Sequence, residues 1–505
     1  MSDNGPFSIF GGASPTAPPP SPGAPGGHLD PADWDAFRAS LHQVVDEMVD
    51  RFEDEGTGPV WQAIPESVHQ EFTEPLPRAP RPLDSVLDRV RRDVLPYTLG
   101  NTHPRFFGWV HGSGTPVGAL AELLAASMNA NTGGRHHAPI LVEDQVVNWV
   151  RRLFDFPEEA TGLVVSGTSM ATVVGLAVAR HRATRGLDRK EGLRDGPPLV
   201  GYTTRDGHQS IRDAFSLLGL GASALRAVPM LDDGSMDPVA LERRITEDVH
   251  AGRKPFAVIA TAGSVTCGAI DDLVRIREIC RDHGLWMHVD AAFGAAARLS
   301  PQLAPRLDGI ETADSIAFDF HKWFHVPYDA GFVLVRDGRL HTATFGGRED
   351  YLTSLGQGPG SGDIWPCDLG PELSRGFRAF KVWFTLQTLG ADAIGEAVER
   401  NVRQARSLAR VVDREPELER LGPADLNIVS FRYRSEGRGN AELNELNREI
   451  LLEIQERGIA LPSPIRRDEA FGIRVCLCNH RTHDSDLRLL VKAVLELGRS
   501  LVPVG

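Results

Sequence analysis

Residues 285–294, LWMHVDAAFG, and residues 315–323, SIAFDFHKW, decide the fold that we predict for this sequence. Each stretch contains a short apolar run that is typical of a buried strand and that ends in polar residues. Asp290 follows the first strand, and His321 and Lys322 follow the second. Because ligands of open α/β sheets bind beyond the carboxyl ends of the strands, these three side chains are candidates for a functional site.

Outward from these two stretches, apolar runs alternate with helical patterns. The other strand candidates begin at residues 163, 198, 256 and 331 and read LVVSG, PLVGYTT, FAVIATAG and GFVLV. Helical stretches such as DLVRIREICRDHG, from residue 272, carry apolar residues at helical spacing and end at glycine. Strands that alternate with helices predict an α/β protein with a mostly parallel sheet, and we place this large domain at residues 111–389.

Three further segments flank the large domain. Residues 1–28 are rich in Pro and Gly and predict a disordered tail, because they cannot bury enough apolar surface to fold. Residues 29–110 contain two amphipathic helical patterns separated by the Pro-rich residues 74–82, which predicts an extended helical arm. Residues 390–505 combine long helices with the strand candidates NIVSFRYR and IRVCLC and predict a smaller α+β domain.

Composition excludes several classes of function. The chain has 505 residues with 54 Lys and Arg against 68 Asp and Glu, a net charge of −14 that argues against nucleic-acid binding. No signal-like leader follows Met1 and no apolar run is long enough to span a bilayer, so we predict a cytoplasmic protein with no membrane partner. Neither His136 with His137 nor His480 with His483 has a third ligand at metal spacing, so no metal is predicted.

An anion site is predicted where the strand LVVSG runs directly into a helix, at Gly167, Thr168 and Ser169. Free backbone N–H groups, two hydroxyls and the helix dipole at that point would attract a phosphate. Taken alone, the same residues are more typical of an ordinary helix cap, because such caps are common. The prediction of an anion site therefore depends on which other groups lie around these residues.

Three other strand ends supply such groups. Asp290 would be costly to bury unless it met a cation, and a protonated ring nitrogen is one such cation, although a turn-capping Asp fits as well. Lys322 lies among aromatic residues, where desolvation would lower its pKa and make the amine nucleophilic, whereas an isolated Lys usually lies at the surface. His208 would stack on a planar ring or act as an acid, or else serve only in polar packing.

Together these groups describe a site for pyridoxal phosphate. The order SGTSMAT, DGHQS, HVDAA and DFHKW, with HPRFFG before it and FRAFKVWF after it, resembles the group II pyridoxal-phosphate-dependent amino acid decarboxylases. The resemblance implies an aspartate-aminotransferase-like fold of type I, with a mostly parallel seven-stranded sheet, a small C-terminal α+β domain and an N-terminal helical arm. It also implies a homodimer with its active site at the subunit interface, acting on an amino acid as its small-molecule substrate.

The resemblance further implies individual roles. Lys322 would bind the cofactor covalently, Asp290 would keep the ring nitrogen protonated, His208 would stack on one face of the ring and Ala292 would pack on the other. The phosphate would be held by Thr168, Ser169 and His321, with Gly167 beside them. Lys322, His208 and Asp290 are the predicted catalytic residues.

Two positions depart from the family pattern. The family carries a Tyr on a mobile loop that protonates the reacting carbon, and counting back from Phe377 places that position at Pro366, with Tyr351 the nearest Tyr upstream. The product is therefore open between an amine, with His208 or a water as proton donor, and an aldehyde formed with hydrogen peroxide. Asp319 stands where decarboxylases often have Asn, and its role is open.

The substrate is the least determined part of the prediction. The family's side-chain pocket corresponds here to Phe107, Trp109, His111, Asn131 and Arg135. The aromatic residues favour an aromatic amino acid, Arg135 would pair an acidic one, and simple packing of the arm on the large domain fits equally well. An aminotransferase, a carbon–carbon lyase and a non-catalytic cofactor-binding protein are the alternatives to a decarboxylase.

Overall fold

The structure is a computed structural model that describes residues 29–193, 196–347, 357–362 and 364–502. The predicted disordered tail, residues 1–28, and Tyr351 lie outside the described residues. The helices are α1 Trp34–Glu53, α2 Glu66–Glu71, α3 Leu83–Asp93, α4 Pro116–Met128, α5 Ala138–Leu153, α6 Thr168–Thr184, α7 Asp188–Glu191, α8 Gln209–Leu217, α9 Pro238–His250, α10 Leu273–His283, α11 Gly338–Phe345, α12 Arg378–Leu389, α13 Ala391–Arg414, α14 Asn440–Glu456 and α15 Asp484–Leu501. The strands are β1 Phe106–Phe107, β2 Thr161–Val165, β3 Leu199–Thr204, β4 Leu225–Val228, β5 Lys254–Thr261, β6 Trp286–Asp290, β7 Ser315–Asp319, β8 Gly331–Val335, β9 Leu418–Arg420, β10 Ile428–Tyr433, β11 Leu461–Arg467 and β12 Ala470–Cys476.

A seven-stranded sheet in the order β2-β8-β7-β6-β5-β3-β4 forms the centre of the molecule. Strand β8 is antiparallel to both of its neighbours, and the other neighbouring pairs are parallel. This confirms the predicted mostly parallel sheet. The short strand β4 was not predicted, because LRAV is too brief for its period to be recognised.

Both faces of this sheet are buried, which is why its strands read as continuous apolar runs. Along β8, Phe332 and Leu334 belong to one hydrophobic cluster and Val333 and Val335 to another, on the opposite face. Helix α6 packs against the second face and buries most of its apolar residues. The parallel strands β2, β3, β5, β6 and β7 therefore end at one common edge, where their polar residues meet.

The C-terminal part forms a second sheet in the order β1-β11-β12-β10-β9. Strand β1 comes from the predicted arm and pairs in parallel with β11, at Phe106 with Leu461 and Phe107 with Pro462. The segment that follows β1 is thereby held between the C-terminal sheet and the edge of the large sheet.

Helix α1 lies on the outside of the chain, with none of its residues buried. Its Asp33 cap accepts hydrogen bonds from the N–H groups of Asp35 and Ala36, and its apolar residues Trp34 and Val49 are exposed. In the described part of the chain no helix combines the length and apolar character needed to cross a membrane.

Candidate active site

A cavity of about 580 Å³ lies at the edge where the parallel strands end. The residues predicted to bind the cofactor all line it, and they are Gly167, Thr168, Ser169, His208, Asp290, Ala292, His321 and Lys322. These residues come from four separate segments of the chain. The sheet edge brings them together, as expected for side chains that follow parallel strands.

The predicted anion site lies at the start of α6. The Thr168 N–H donates to Oδ1 of Asp319 across 2.6 Å. The Thr168 hydroxyl is buried and has no hydrogen-bond partner in the described structure. A buried hydroxyl is costly to leave unpaired, so this atom is suited to an anionic ligand.

Asp290 is the last residue of β6 and is only 5% exposed. Its Oδ1 accepts a hydrogen bond from the Ala292 N–H at 3.1 Å. Burial raises the pKa of the Asp290 carboxyl, although the positive charge of Lys322 acts in the opposite direction. A cationic partner at this carboxylate would compensate for its burial.

Lys322 lies on the turn after β7, with its Nζ 2.8 Å from Oδ2 of Asp319. Burial alone would lower the pKa of this amine, but the charges of Asp319 and Asp290 outweigh burial and raise it. The predicted lowering of the Lys322 pKa is therefore wrong for the chain without cofactor. Gly112 lies against this turn, where a Cβ would collide with the carbonyl oxygens of His321 and Lys322.

Two of the three histidines that line the cavity, His321 and His208, are held by backbone N–H groups. His321 Nδ1 accepts from the Ala330 N–H at 3.0 Å, so its Nε2, 3.7 Å from Asp319 Oδ2, carries the proton of the neutral ring. Burial lowers the pKa of His321, with Asp319 opposing the shift. His208 caps α8, and its Nδ1 accepts from the Ser210 N–H at 3.2 Å. These bonds fix the orientation of both rings.

Two of the predicted substrate residues, Trp109 and His111, line the cavity. Their rings stack with centroids 5.7 Å apart. Trp109 has a left-handed backbone, with φ of 45°, and its carbonyl oxygen accepts from Nη1 of Arg474 at 2.9 Å. The cavity thus has one aromatic wall whose backbone is held by a buried guanidinium.

The other three predicted substrate residues do not line the cavity of this single chain, and their part in a substrate pocket stays a prediction. Phe107 is completely buried in the core of the C-terminal sheet. Asn131 Oδ1 instead accepts the N–H groups of Gly133 and Arg375. The Arg135 guanidinium lies over the Trp365 ring, 4.6 Å from its centroid.

Two residues near the site were missed at the sequence level. Tyr328 lines the cavity and packs on His321, with ring centroids 4.2 Å apart. Arg474 is 4% exposed, and its Nε and Nη2 atoms have no hydrogen-bond partner among the described residues. An Arg inside the apolar strand IRVCLC was the signal that could have revealed the second of these.

Pro366 does not line the cavity of its own chain. It is buried and begins a short 3-10 turn, Pro366–Asp368. A backbone hydrogen bond from Cys367 N–H to Gly133 O, at 3.0 Å, links this turn to the segment before α5. No tyrosine hydroxyl is available at this position.

Comparison with known proteins places these residues in context. Residues 65–434 match the pyridoxal-dependent decarboxylase conserved domain. The aromatic-L-amino-acid decarboxylase of Bacillus atrophaeus is 32% identical over 467 residues, which cover 90% of this chain and 94% of that protein. The phenylacetaldehyde synthase of Arabidopsis thaliana is 27% identical over 446 residues, 85% of this chain and 89% of that protein. The crystal structure of Oryza sativa TDC with pyridoxal phosphate and tryptamine has a TM-score of 0.87 at 23% identity, covers 94% of this chain and 100% of that chain, and shares its fold.

Proposed function

Because the chain belongs to the pyridoxal-dependent decarboxylase family and is a pyridoxal-phosphate-dependent carboxy-lyase of the predicted type I fold, we propose that it decarboxylates an aromatic L-amino acid. The product that we propose is the amine, with carbon dioxide. The observation that carries the proposal is that Lys322, Asp290 and the anion site at Thr168 line the same cavity as the aromatic wall of Trp109 and His111.

The residues present fit pyridoxal phosphate. The unpaired Thr168 hydroxyl and the N-terminus of α6 suit its phosphate. Asp290 is a buried carboxylate of the kind that a protonated ring nitrogen would neutralise. Lys322 is the lysine that lines the cavity, and its amine would hold the cofactor. We propose His208 and Ala292, which both line the cavity, as the residues that pack on the two faces of the ring.

When bound, pyridoxal phosphate accepts the electron pair that carbon dioxide leaves on the α-carbon. The task of the chain is to orient the bond that breaks, to exclude water and to deliver a proton. Asp290 would keep the proton on the ring nitrogen, because a buried carboxylate favours a cationic neighbour. His208 is the proton donor that we propose, since its Nδ1 accepts a hydrogen bond and its Nε2 is left to hold a proton.

The aromatic substrate class is supported by the shape and chemistry of the cavity wall. Trp109, His111 and Tyr328 present three rings to the same space. An aromatic side chain gains both burial and ring contacts there. The decarboxylase of Bacillus atrophaeus, which is named for aromatic amino acids, adds support from similarity.

A second product is favoured by a specific observation, the Pro at position 366. Without a tyrosine hydroxyl at position 366, the α-carbon would react with molecular oxygen before it is protonated. One amino acid, one O₂ and one water would then give one aldehyde, one CO₂, one ammonia and one H₂O₂. The similarity to a phenylacetaldehyde synthase supports this alternative.

We also propose that the protein is a homodimer. The apolar residues Trp34, Leu41 and Val49 of α1 are exposed, and a second copy of the chain would cover them. Asn131 and Arg135 lie outside the cavity of their own chain, so any role in the substrate pocket would depend on that second copy. Location in the cytoplasm stays a prediction from composition.

An amino-acid panel tests these proposals. The loaded protein is incubated with Phe, Tyr, Trp, Glu, His and Lys while carbon dioxide, amine, aldehyde and hydrogen peroxide are measured together. We expect carbon dioxide and amine in equal amounts from the aromatic amino acids only. Equal amounts of aldehyde and peroxide would establish the second product, and turnover restricted to Glu, His or Lys would contradict the aromatic substrate class. Lys322→Ala is the control for catalysis outside the cavity.

A further inference from the structure

We propose that Asp319 keeps Lys322 as a paired ammonium until a phosphate enters the anion site and displaces the Asp319 carboxylate. Asp319 is thus a positioning residue that couples phosphate binding to release of the lysine. The inference rests on the proposed phosphate site at Thr168, but not on the identity of the substrate.

The two oxygens of one carboxylate link the anion site to the lysine. Oδ1 of Asp319 accepts the Thr168 N–H at 2.6 Å, and Oδ2 lies 2.8 Å from Lys322 Nζ. The Asp319 side chain is only 3% exposed, so water does not replace either partner. Its backbone is fixed as well, because the Asp319 N–H donates to the carbonyl oxygen of Ala292 at 2.9 Å.

A phosphate and the Asp319 carboxylate would compete for the same position. Both are acceptors for the Thr168 N–H, and two anions within hydrogen-bonding distance repel each other in a buried site. When phosphate binds, the carboxylate must therefore move away or take up a proton. Either event removes the negative charge that pairs with Lys322.

The groups around Lys322 explain why displacement of the Asp319 carboxylate would change the protonation of the Lys322 amine. The titratable groups that face it come from several elements. They are Asp319 at the end of β7, His321 on its own turn, Asp290 from β6, Cys476 and Cys478 from the C-terminal part, and His111 from the segment after β1. Asp319 is the largest of the influences that keep the amine protonated. Asp290 is the other carboxylate, and in our proposal the cofactor ring nitrogen neutralises it.

The order of events at the lysine follows from this competition. The ammonium loses a proton to solvent, Nζ forms a C=N bond with the cofactor aldehyde carbon, and the aldehyde oxygen leaves as water. An amine that is still protonated has no electron pair for this attack. Phosphate binding therefore precedes covalent capture, and an aldehyde without phosphate is captured slowly.

Lysine acetylation in the full, cofactor-free chain tests the inference without any substrate. The chain has five lysines, so mass spectrometry after acetic anhydride treatment follows each of them. We expect inorganic phosphate, compared with chloride at equal ionic strength, to speed acetylation of Lys322 by about tenfold, the effect of one pKa unit. Asp319→Asn should be fast without phosphate and insensitive to it. The exposed Lys190, Lys254 and Lys492 report general reactivity.

Glu122→Gln is the matched control, because Glu122 pairs with the buried Lys381. It should speed acetylation of Lys381 and leave the phosphate response of Lys322 unchanged. Inorganic phosphate should also accelerate the capture of pyridoxal, which lacks a phosphate, in the unmodified chain. A Lys322 rate that ignores or falls with phosphate, or an Asp319→Asn rate equal to that of the unmodified chain, would overturn the inference. If Asp319→Asn does not fold, the phosphate response of the unmodified chain decides the question.

Discussion

Asp290→Asn should weaken cofactor binding without weakening the cofactor-free fold. The substitution keeps the shape of the side chain, and an amide oxygen can still accept the Ala292 N–H that now binds Oδ1 at 3.1 Å. What it removes is the negative charge at the end of β6. Lys322 does not lose its partner, because Asp319 lies 2.8 Å from its Nζ.

The size of the effect on binding follows from one lost charge-assisted hydrogen bond. Such a bond contributes about 1.5–3 kcal/mol. Converted at 1.4 kcal/mol for each factor of ten, the dissociation constant for pyridoxal phosphate should rise roughly ten- to hundredfold. Catalysis should fall further, because the ring nitrogen would no longer be held protonated.

The effect on stability has the opposite sign. A carboxyl whose pKa is higher in the folded than in the unfolded chain destabilises the fold at neutral pH, and that penalty disappears as the pH falls below the unfolded pKa of about 3.9. Burial raises the pKa of Asp290, so an uncharged Asn should leave the cofactor-free chain at pH 7 equally stable or more stable. A neutral amide carries no such penalty.

Two titrations check this prediction. Fluorescence titration with pyridoxal phosphate gives the dissociation constant, and urea unfolding of the cofactor-free chain gives the free energy of unfolding. A variant that binds the cofactor normally but unfolds at clearly lower urea would show that Asp290 is a structural residue. The reasoning about the ring nitrogen would then be refuted.

Three further predictions concern other parts of the molecule. Glu143→Gln breaks a buried ion pair in which Arg375 donates two hydrogen bonds, so urea unfolding should show that the free energy of unfolding falls by about 3–5 kcal/mol. Asp413→Asn, at an exposed ion pair, is the control and should lower the free energy of unfolding by less than about 1 kcal/mol. Burial lowers the pKa of His341 to about 4, below its unfolded value of about 6.5. The stability of the fold should therefore decrease as the pH drops from about 6.5 toward 4, because the unfolded chain takes up the proton first. A melting temperature that is flat from about pH 7 to about pH 5 would contradict this. Trp109→Ala removes the indole ring from the aromatic wall of the cavity. The value of kcat/KM for aromatic substrates should fall at least about tenfold, while the dissociation constant of the cofactor stays unchanged. An equal loss of kcat/KM for all amino acids would argue against a role of Trp109 in specificity.

Much of the site could be predicted because the side-chain chemistry follows directly on buried strands. Asp290 and Lys322 each come after an apolar run, and parallel strands bring such residues to one edge. Phe107 could not be placed in this way, since a two-residue strand carries no period and its partner β11 lies more than 350 residues away along the chain. Side-chain type alone did not distinguish the wall of the cavity from the core of the second sheet.

The charge of Lys322 was mispredicted for a different reason. Neighbouring aromatic residues indicated desolvation, but the turn after β7 brings the Lys322 amine back to Asp319, the last residue of that strand. Asp319 and Lys322 are three residues apart, a spacing that allows contact if the segment is a turn and separates the side chains if it is a strand. The direction of the Lys322 pKa shift therefore depends on the distance between the amine and Asp319, and the residue types alone could not predict that distance.

Reduction of the loaded protein with sodium borohydride, followed by mass spectrometry of its peptides, tests the central claim most directly. The chain has only five lysines, and Lys322 is the one that lines the cavity. We predict that the reduced phosphopyridoxyl group is attached to Lys322 and that Lys190, Lys254, Lys381 and Lys492 are unmodified. A group attached to any of these four, or to none of the five, would contradict it.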